Sequence, residues 1–245
     1  MYEELKRIIK ESQRIVFFGG AGVSTESGVP DFRSENGLYQ AQQNYGRSPE
    51  EMLSRTFFLQ HTDTFFDYYK NNLIYPDVKP NKAHLALARL EQQGKLQAVV
   101  TQNIDGLHQL AGSQKVYELH GSVLKNRCMQ CGRPYDISYI MESGHCKGYV
   151  PHCEHCGGIV KPEVVLYEEC LDDDCLRGAA GAIAAADTLI VGGTSLVVYP
   201  AAGLIQYFQG KHLVLINKSS TPYDDKADVV IHQAIGEVLH ACVEE

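Results

Sequence analysis

Four short apolar runs punctuate the chain, and each stops abruptly at glycine or at small polar residues. Ile15-Val16-Phe17-Phe18 runs into Gly19-Gly20-Ala21-Gly22-Val23-Ser24, and Leu96-Gln97-Ala98-Val99-Val100 into Thr101-Gln102-Asn103-Ile104-Asp105. Thr188-Leu189-Ile190-Val191 meets Gly192-Gly193-Thr194-Ser195, and Leu213-Val214-Leu215-Ile216 meets Asn217. Continuous apolar runs of this length predict strands buried on both faces, as in a parallel sheet covered by helices. Helical periodicity alternates with them, at Ala83–Gln92 (apolar Leu85, Leu87, Ala88 and Leu90) and in the alanine-rich stretch Leu176–Ala186. Strand alternating with helix predicts an α/β fold built on a doubly wound parallel sheet, whose ligands sit beyond the carboxyl ends of the strands.

Two stretches break this alternation. Residues 35–80 read as helical and aromatic (Phe57, Phe58, Phe65, Phe66, Tyr68, Tyr69), and residues 125–160 carry cysteine pairs among glycines and prolines. Both are expected to be insertions that together form a small domain, leaving 1–34, 81–124 and 161–245 as the large one. A length of 245 residues, set against roughly 150 per domain, agrees with one large unit carrying a smaller one.

Charge changes the picture by exclusion. Thirty Asp and Glu outweigh 22 Lys and Arg, giving a net charge of −8. Nucleic-acid affinity rests mostly on Lys and Arg neutralising phosphates, so no direct nucleic-acid binding is expected. No stretch approaches the ~18 apolar residues of a membrane span, and the start, Met1 to Ile9, lacks the apolar core of a signal peptide. A cytoplasmic protein, with no membrane partner, is the expectation.

In such a compartment cysteine pairs point to metal before disulfide. Cys128-x2-Cys131 and Cys153-x2-Cys156 are separated by 21 residues and each is followed by glycine. Four thiolates suit tetrahedral Zn2+ and leave no open coordination position, which predicts one structural zinc. Free or redox thiols are the alternative. His145, Cys146, His152 and His155 lie near enough in sequence to substitute, while Cys170, Cys175 and Cys242 read as ordinary small residues.

The strand tips carry the remaining chemistry. Gly20-Ala21-Gly22 after a strand is a place where backbone can approach a pyrophosphate, although Thr25 stands where a dinucleotide fingerprint wants its third glycine. Ser24 through Ser34 (Ser-Thr-Glu-Ser-Gly-Val-Pro-Asp-Phe-Arg-Ser) cannot be a long helix, because Gly28 and Pro30 interrupt it; a shaped loop, a candidate cofactor lid, is expected. Gln102, Asn103 and Asp105 place amides and a carboxylate at a strand end, where they can orient sugar hydroxyls or an amide, or merely cap the next helix. His120, after the alternating run Val116–Leu119, is a candidate general base, because an unperturbed imidazole titrates close to neutral pH. Hydroxyls of Thr194 and Ser195 beside Gly193 suit phosphate, and Asn217 suits a ribose hydroxyl.

Taken in order, these blocks resemble the sirtuins, NAD-dependent protein lysine deacylases, and most closely their compact bacterial type. The likeness runs from Gly20-Ala21-Gly22-Val23-Ser24 and Pro30-Asp31-Phe32-Arg33-Ser34 through Thr101–His108, His120-Gly121, the two cysteine pairs, Val164-Val165-Leu166-Tyr167 and Gly193-Thr194-Ser195 to the tail from Asn217 to Glu237. The resemblance implies a Rossmann-like large domain with a small zinc-ribbon plus helical inserted domain, and NAD+ meeting acyl-lysine between them. It implies an NAD+ site at Gly20, Ala21, Gly22, Thr25, Phe32 and Arg33, with Gln102, Asn103, Ile104, Asp105 and His120 around the ribose and nicotinamide. Gly193, Thr194, Ser195, Asn217 and Ile235 would hold phosphate and adenosine. His120, Asn103 and Asp105 would be catalytic, Val165, Leu166 and Val197 would hold the peptide of an acetylated-lysine protein by strand addition, and Cys128, Cys131, Cys153 and Cys156 would bind zinc. The implied products are free lysine, nicotinamide and O-acetyl-ADP-ribose, with His120 taking a proton relayed from a ribose hydroxyl.

The resemblance also bears on the acyl group. Family members that prefer acidic acyl groups carry a Tyr and, three residues on, an Arg; Phe66 and Tyr69 are aligned with these, so a neutral acyl group is expected. A transferase that moves ADP-ribose onto protein is the principal rival. A silent zinc-and-NAD sensor would be expected to lack His120 or Asn103, and a hydride-transfer enzyme has no need of that set.

Overall fold

The computed structural model describes residues 2–31 and 42–243. The apolar runs form the centre of a six-stranded, all-parallel sheet made of β1 (Ile15–Gly19), β2 (Leu96–Thr101), β3 (Val116–Glu118), β9 (Thr188–Gly192), β10 (His212–Ile216) and β11 (Val229–Ile231). Their spatial order is β3-β2-β1-β9-β10-β11, the doubly wound order in which the winding reverses between β1 and β9 and opens a crevice there. Register aligns the carboxyl ends: Gly19 pairs with Thr101 on one side and Gly192 on the other, and Gly192 with Ile216.

All five residues of β1 are buried, because both faces of the sheet are covered. Phe17 and Ile15 point into a core shared with helices Glu3–Glu11, Lys82–Gln92 and Ile235–Val243. Val16 and Phe18 point the opposite way, against helix Asp173–Ala185 and the 3-10 segment Ala201–Tyr207. The period of two along the strand divides its side chains between the two cores. Helix boundaries follow local chemistry: Asn81 caps Lys82–Gln92 by accepting from the Ala83 N–H at 2.9 Å, and Asp172 caps Asp173–Ala185 by accepting from the Cys175 N–H at 2.7 Å.

A separate apolar cluster lies in the inserted regions. Met52, Phe57, Phe58, Phe65, Phe66, Tyr68 and Tyr69, from helices Pro49–Met52, Arg55–Gln60 and Thr62–Asn72, pack with Ile140, Val150 and Val160. Antiparallel pairs frame it: β4 (Gly121–Cys128) lies between β5 (Pro134–Asp136) and β8 (Val160–Val164), and β6 (Cys146–Lys147) pairs with β7 (Val150–Pro151). The cluster also takes in Val123, Val164 and Leu166, residues that the sequence reading placed on the larger unit's side of the boundary.

The four cysteine sulfurs gather at one end of this unit, all within 4.8 Å of one another. Cys128 and Cys156 Sγ are 3.5 Å apart, Cys131 and Cys153 Sγ 3.7 Å. A tetrahedron of sulfurs at the usual Zn–S distance has edges of about 3.8 Å, so the geometry fits zinc without rearrangement. Tyr135 Oη lies 3.0 Å from Cys153 Sγ and supports the set from outside. His145, His152 and His155 do not join the cluster.

Structural zinc contributes on the order of 10 kcal/mol, comparable with the whole net stability of a domain. Cys131→Ser, or a strong chelator, is therefore expected to unfold the 121–166 region and abolish its near-UV circular dichroism. The His120→Ala variant should be as sensitive to the chelator as the unaltered protein, because the histidine takes no part in metal binding.

Candidate functional site

At the winding reversal the loops after β1 and β9 interlock. The Gly22 N–H donates to the Gly193 carbonyl at 2.8 Å, and the Gly20 N–H to the Gly192 carbonyl at 3.3 Å. A Cβ on Gly22 would lie 2.7 Å from the Gly193 Cα, and one on Gly20 2.9 Å from the Thr194 Cβ. The glycines thus serve loop-to-loop contact as much as approach to a ligand. Two 3-10 turns, Ala21–Val23 and Thr25–Ser27, follow β1, and the chain leaves them at Gly28 with φ 89°; no long helix forms there.

These loops and the tip of β2 border a cavity of about 670 Å3. Gly20, Ala21, Gly22, Thr25, Gln102, Asn103, Ile104, Asp105, His120, Val165, Leu166, Gly193, Thr194, Ser195, Asn217 and Ile235 all line it. Val197 does not: it is 60% exposed, and Val198 stands in the wall. Phe32 and Arg33 lie outside the described residues.

Ser24, which the sequence reading passed over, is the hinge of the polar cluster. Its hydroxyl donates to Asp105 Oδ2 at 2.6 Å and accepts from the Asn103 amide at 3.0 Å. Asp105 spends its other oxygen on the Leu107 N–H at 2.9 Å, so the carboxylate caps the next turn as well as facing the cavity. Burial pushes its carboxyl above the ordinary value, the bonds from Ser24 and Leu107 pull it back, and nearby Glu118 adds to the rise. Behind it His108 and His84 meet edge to face, ring centroids 4.7 Å apart. Burial holds both neutral, pushing His84 down to about 4 and His108 well below its ordinary value.

Gln102 fastens the other side. Its side-chain amide donates to Thr194 Oγ1 at 3.1 Å, and its backbone carbonyl lies 2.9 Å from His120 Nδ1. A carbonyl can only accept, so Nδ1 carries the proton and a neutral ring presents its basic lone pair at Nε2. The His120 carbonyl in turn accepts from the Val165 N–H at 2.9 Å, which ties the segment after β8 to the imidazole. At the far end Ile235 opens helix Ile235–Val243, whose first turn donates from the Gly236 N–H to Glu26 at 2.9 Å. A Cβ on Gly192 would lie 2.1 Å from the end of the Ile235 side chain, so a larger residue there would displace that side chain.

The acyl argument drawn from Phe66 and Tyr69 needs correction. Both are fully buried in the helical cluster and neither lines the cavity. Among the described residues that line the cavity, Asp31 and Asp105 are acidic and Lys218 is the single Lys or Arg. The carboxylates of Glu168 and Glu169, also in the wall, are taken up by Thr56 and by Lys161 with the Leu166 N–H. No described helix is long and apolar enough to cross a membrane.

Comparison with known proteins agrees with this geometry. The family model described as Sir2 family matches residues 20–200. The NAD-dependent protein deacetylase of Clostridium perfringens is 65% identical over 237 residues, 96% of each chain. That of Clostridium acetobutylicum is 61% identical over 240 residues, 98% of this chain and 97% of the relative. A solved complex of Sir2 with a p53 peptide and NAD+ has a TM-score of 0.87 at 38% identity, with 100% of this chain and 98% of that one covered. Another, holding deacetylated p53 peptide and 3′-O-acetyl-ADP-ribose, reaches 0.88 at 38% identity, with 99% and 97% covered. Likeness of this extent, over nearly the full length and on the same parallel sheet, makes the chain a member of the Sir2 family.

Proposed function

We propose that the protein removes acetyl groups from protein lysine side chains with consumption of NAD+, releasing nicotinamide and O-acetyl-ADP-ribose. The observation that carries this reading is the convergence of His120, Asn103 and Asp105 with the glycine loops on one cavity. Its volume suits a dinucleotide end and an acyl-lysine side chain. We further propose that the inserted regions act as a small domain closing one side of the cleft, and that the protein works in the cytoplasm, in keeping with its free cysteines.

The fit to NAD+ lies in the donor set. Backbone at Gly20–Gly22 and the Thr194 and Ser195 hydroxyls suit phosphate, while Asn217 and Ile235 suit the adenosine end. Bound NAD+ supplies the ribose carbon that the acyl oxygen attacks as nicotinamide departs. His120 accepts a proton at Nε2, held in that tautomer by the Gln102 carbonyl. Asn103 and Asp105, fixed through Ser24, orient polar groups of the substrates without reorganising during the reaction. Val165 and Leu166 hold the peptide backbone as an added strand. None of the four zinc-binding sulfurs borders the cavity, so zinc serves as scaffold.

An acetylated peptide incubated with and without NAD+ tests the reading: deacetylated peptide should form only with NAD+. Labelled ADP-ribose appearing on protein faster than deacylation would overturn it in favour of the transferase. His120→Ala should fold, bind NAD+ and lose turnover by about 100-fold or more; unchanged turnover removes the base assignment.

Asp105→Asn carries a pH signature. The folded carboxyl binds its proton more tightly than the unfolded chain does, so its contribution is intact below the ordinary carboxylate range and is lost as pH rises through the folded value. The melting temperature of the asparagine variant relative to the unaltered protein should therefore rise between pH values below that range and pH 7, whatever its offset from the hydrogen bonds the amide cannot replace. A difference between the two proteins that does not change with pH would contradict the burial argument.

Succinylated peptide should be a poor substrate. A carboxylate desolvated in this cavity without a cationic partner is expected to lower kcat/KM at least about tenfold relative to acetyl. Equal values for the two peptides would show that an unassigned cation serves the pocket.

A further inference from the structure

The peptide-facing segment ends in a turn with an unexpected residue at its tightest point. The Glu169 N–H donates to the Leu166 carbonyl at 3.0 Å, closing Leu166–Glu169 as a four-residue turn. Glu168, its third residue, has φ 75°. That left-handed conformation is free for glycine and strained for a side chain, and a non-glycine residue persists there only where its surroundings hold it. They do so from three directions. The Tyr167 N–H donates to the Leu53 carbonyl and the Arg55 N–H to the Tyr167 carbonyl, each at 3.0 Å. One Glu168 carboxylate oxygen accepts from both the Thr56 N–H at 2.9 Å and the Thr56 hydroxyl at 2.7 Å. Those two bonds hold its carboxyl below the ordinary range.

We infer that Glu168 is a positioning residue for the acylated peptide. Its carboxylate pins the turn after Val165-Leu166 to the start of helix Arg55–Gln60, and so presents that segment in the form the peptide pairs with. The segment is also anchored by main chain, through the Tyr167 bonds to Leu53 and Arg55 at this end and the Val165 N–H to the His120 carbonyl at the other. Glu168 supplies the side-chain tie at the turn itself. Without the pin, the turn keeps its main-chain bonds to Leu53 and Arg55 but loses the side-chain tie that fixes the conformation of its third residue. The glycine loops and Asn217, on the dinucleotide side, are untouched. The consequence is a loss confined to peptide affinity. This rests on the proposed deacetylase reading and adds to it the residue that shapes the peptide side of the cleft.

Steady-state kinetics on an acetylated peptide separate the possibilities. Glu168→Gly suits the backbone and removes only the carboxylate. It should raise the peptide KM by about fivefold, with kcat and the KM for NAD+ unchanged, and with a melting temperature equal to or above the unaltered protein. Glu168→Gln, which keeps an acceptor oxygen, should fall between the two. Thr56→Val should raise the peptide KM less than Glu168→Gly, and the double variant no more than Glu168→Gly alone, because both remove one interaction. An unchanged peptide KM in Glu168→Gly overturns the proposal. So does a fully additive double variant, or a melting temperature that falls along with affinity, which would mark general loosening. If the unaltered protein itself fails to deacetylate, the underlying reading falls instead.

Discussion

In a parallel sheet every strand delivers its carboxyl end to the same edge, and here that edge is drawn tight by backbone touching backbone. Gly22 lies against Gly193, so the turns after β1 and β9 share hydrogen bonds across the winding reversal instead of standing apart. One methyl group on either residue would meet main chain, which cannot yield as a flexible side-chain end can. The remaining strand tips are fastened to this pair. The Gln102 N–H donates to the Gly19 carbonyl at 3.0 Å, and its side chain reaches Thr194. The cavity floor is therefore built before any ligand arrives.

That preorganisation explains how a carboxylate can be buried at the centre. Asp105 would be costly without partners, and it has two, both donors fixed by the fold. Ser24 binds Asp105 and Asn103 at once, so the two side chains cannot reorient independently. The neutral His84 and His108 behind them add bulk without charge. His120 receives its tautomer from main chain, whose carbonyl does not titrate. A site arranged this way holds Asp105, Asn103 and His120 in place by the fold.

The central strands were legible because a continuous apolar run between glycine-rich ends has few other structures open to it. The helices Lys82–Gln92 and Asp173–Ala185 and the two cysteine pairs were legible for similarly local reasons. Ser24 was not, because its importance lies in partners some 80 residues away that no local pattern displays. Phe66 and Tyr69 misled for a different reason. One turn apart in helix Thr62–Asn72, both face its buried side, so alignment alone could not tell that they point away from the cavity. The antiparallel strands β4, β5 and β8 were equally hidden, since register between short strands is set by partners distant in sequence.

The two halves of the cleft differ in what holds them. The dinucleotide side rests on a sheet buried on both faces and on backbone contacts between loops. The peptide side rests on a smaller aromatic core, which includes Cys128 and Cys153 themselves. The halves are joined where the Val123 N–H donates to the Ile104 carbonyl and where the Val165 N–H donates to the His120 carbonyl, the latter linking the segment proposed to hold substrate to the residue proposed to receive its proton. Distance between substrate and base is thereby set by main chain. Loosening the metal end need not disturb the glycine loops, yet through Leu166 and Val164, both packed in that core, it reaches the peptide-facing segment. A zinc held by the four cysteines, though away from the cavity, would thus bear on the proposed substrate side more than on the proposed cofactor side.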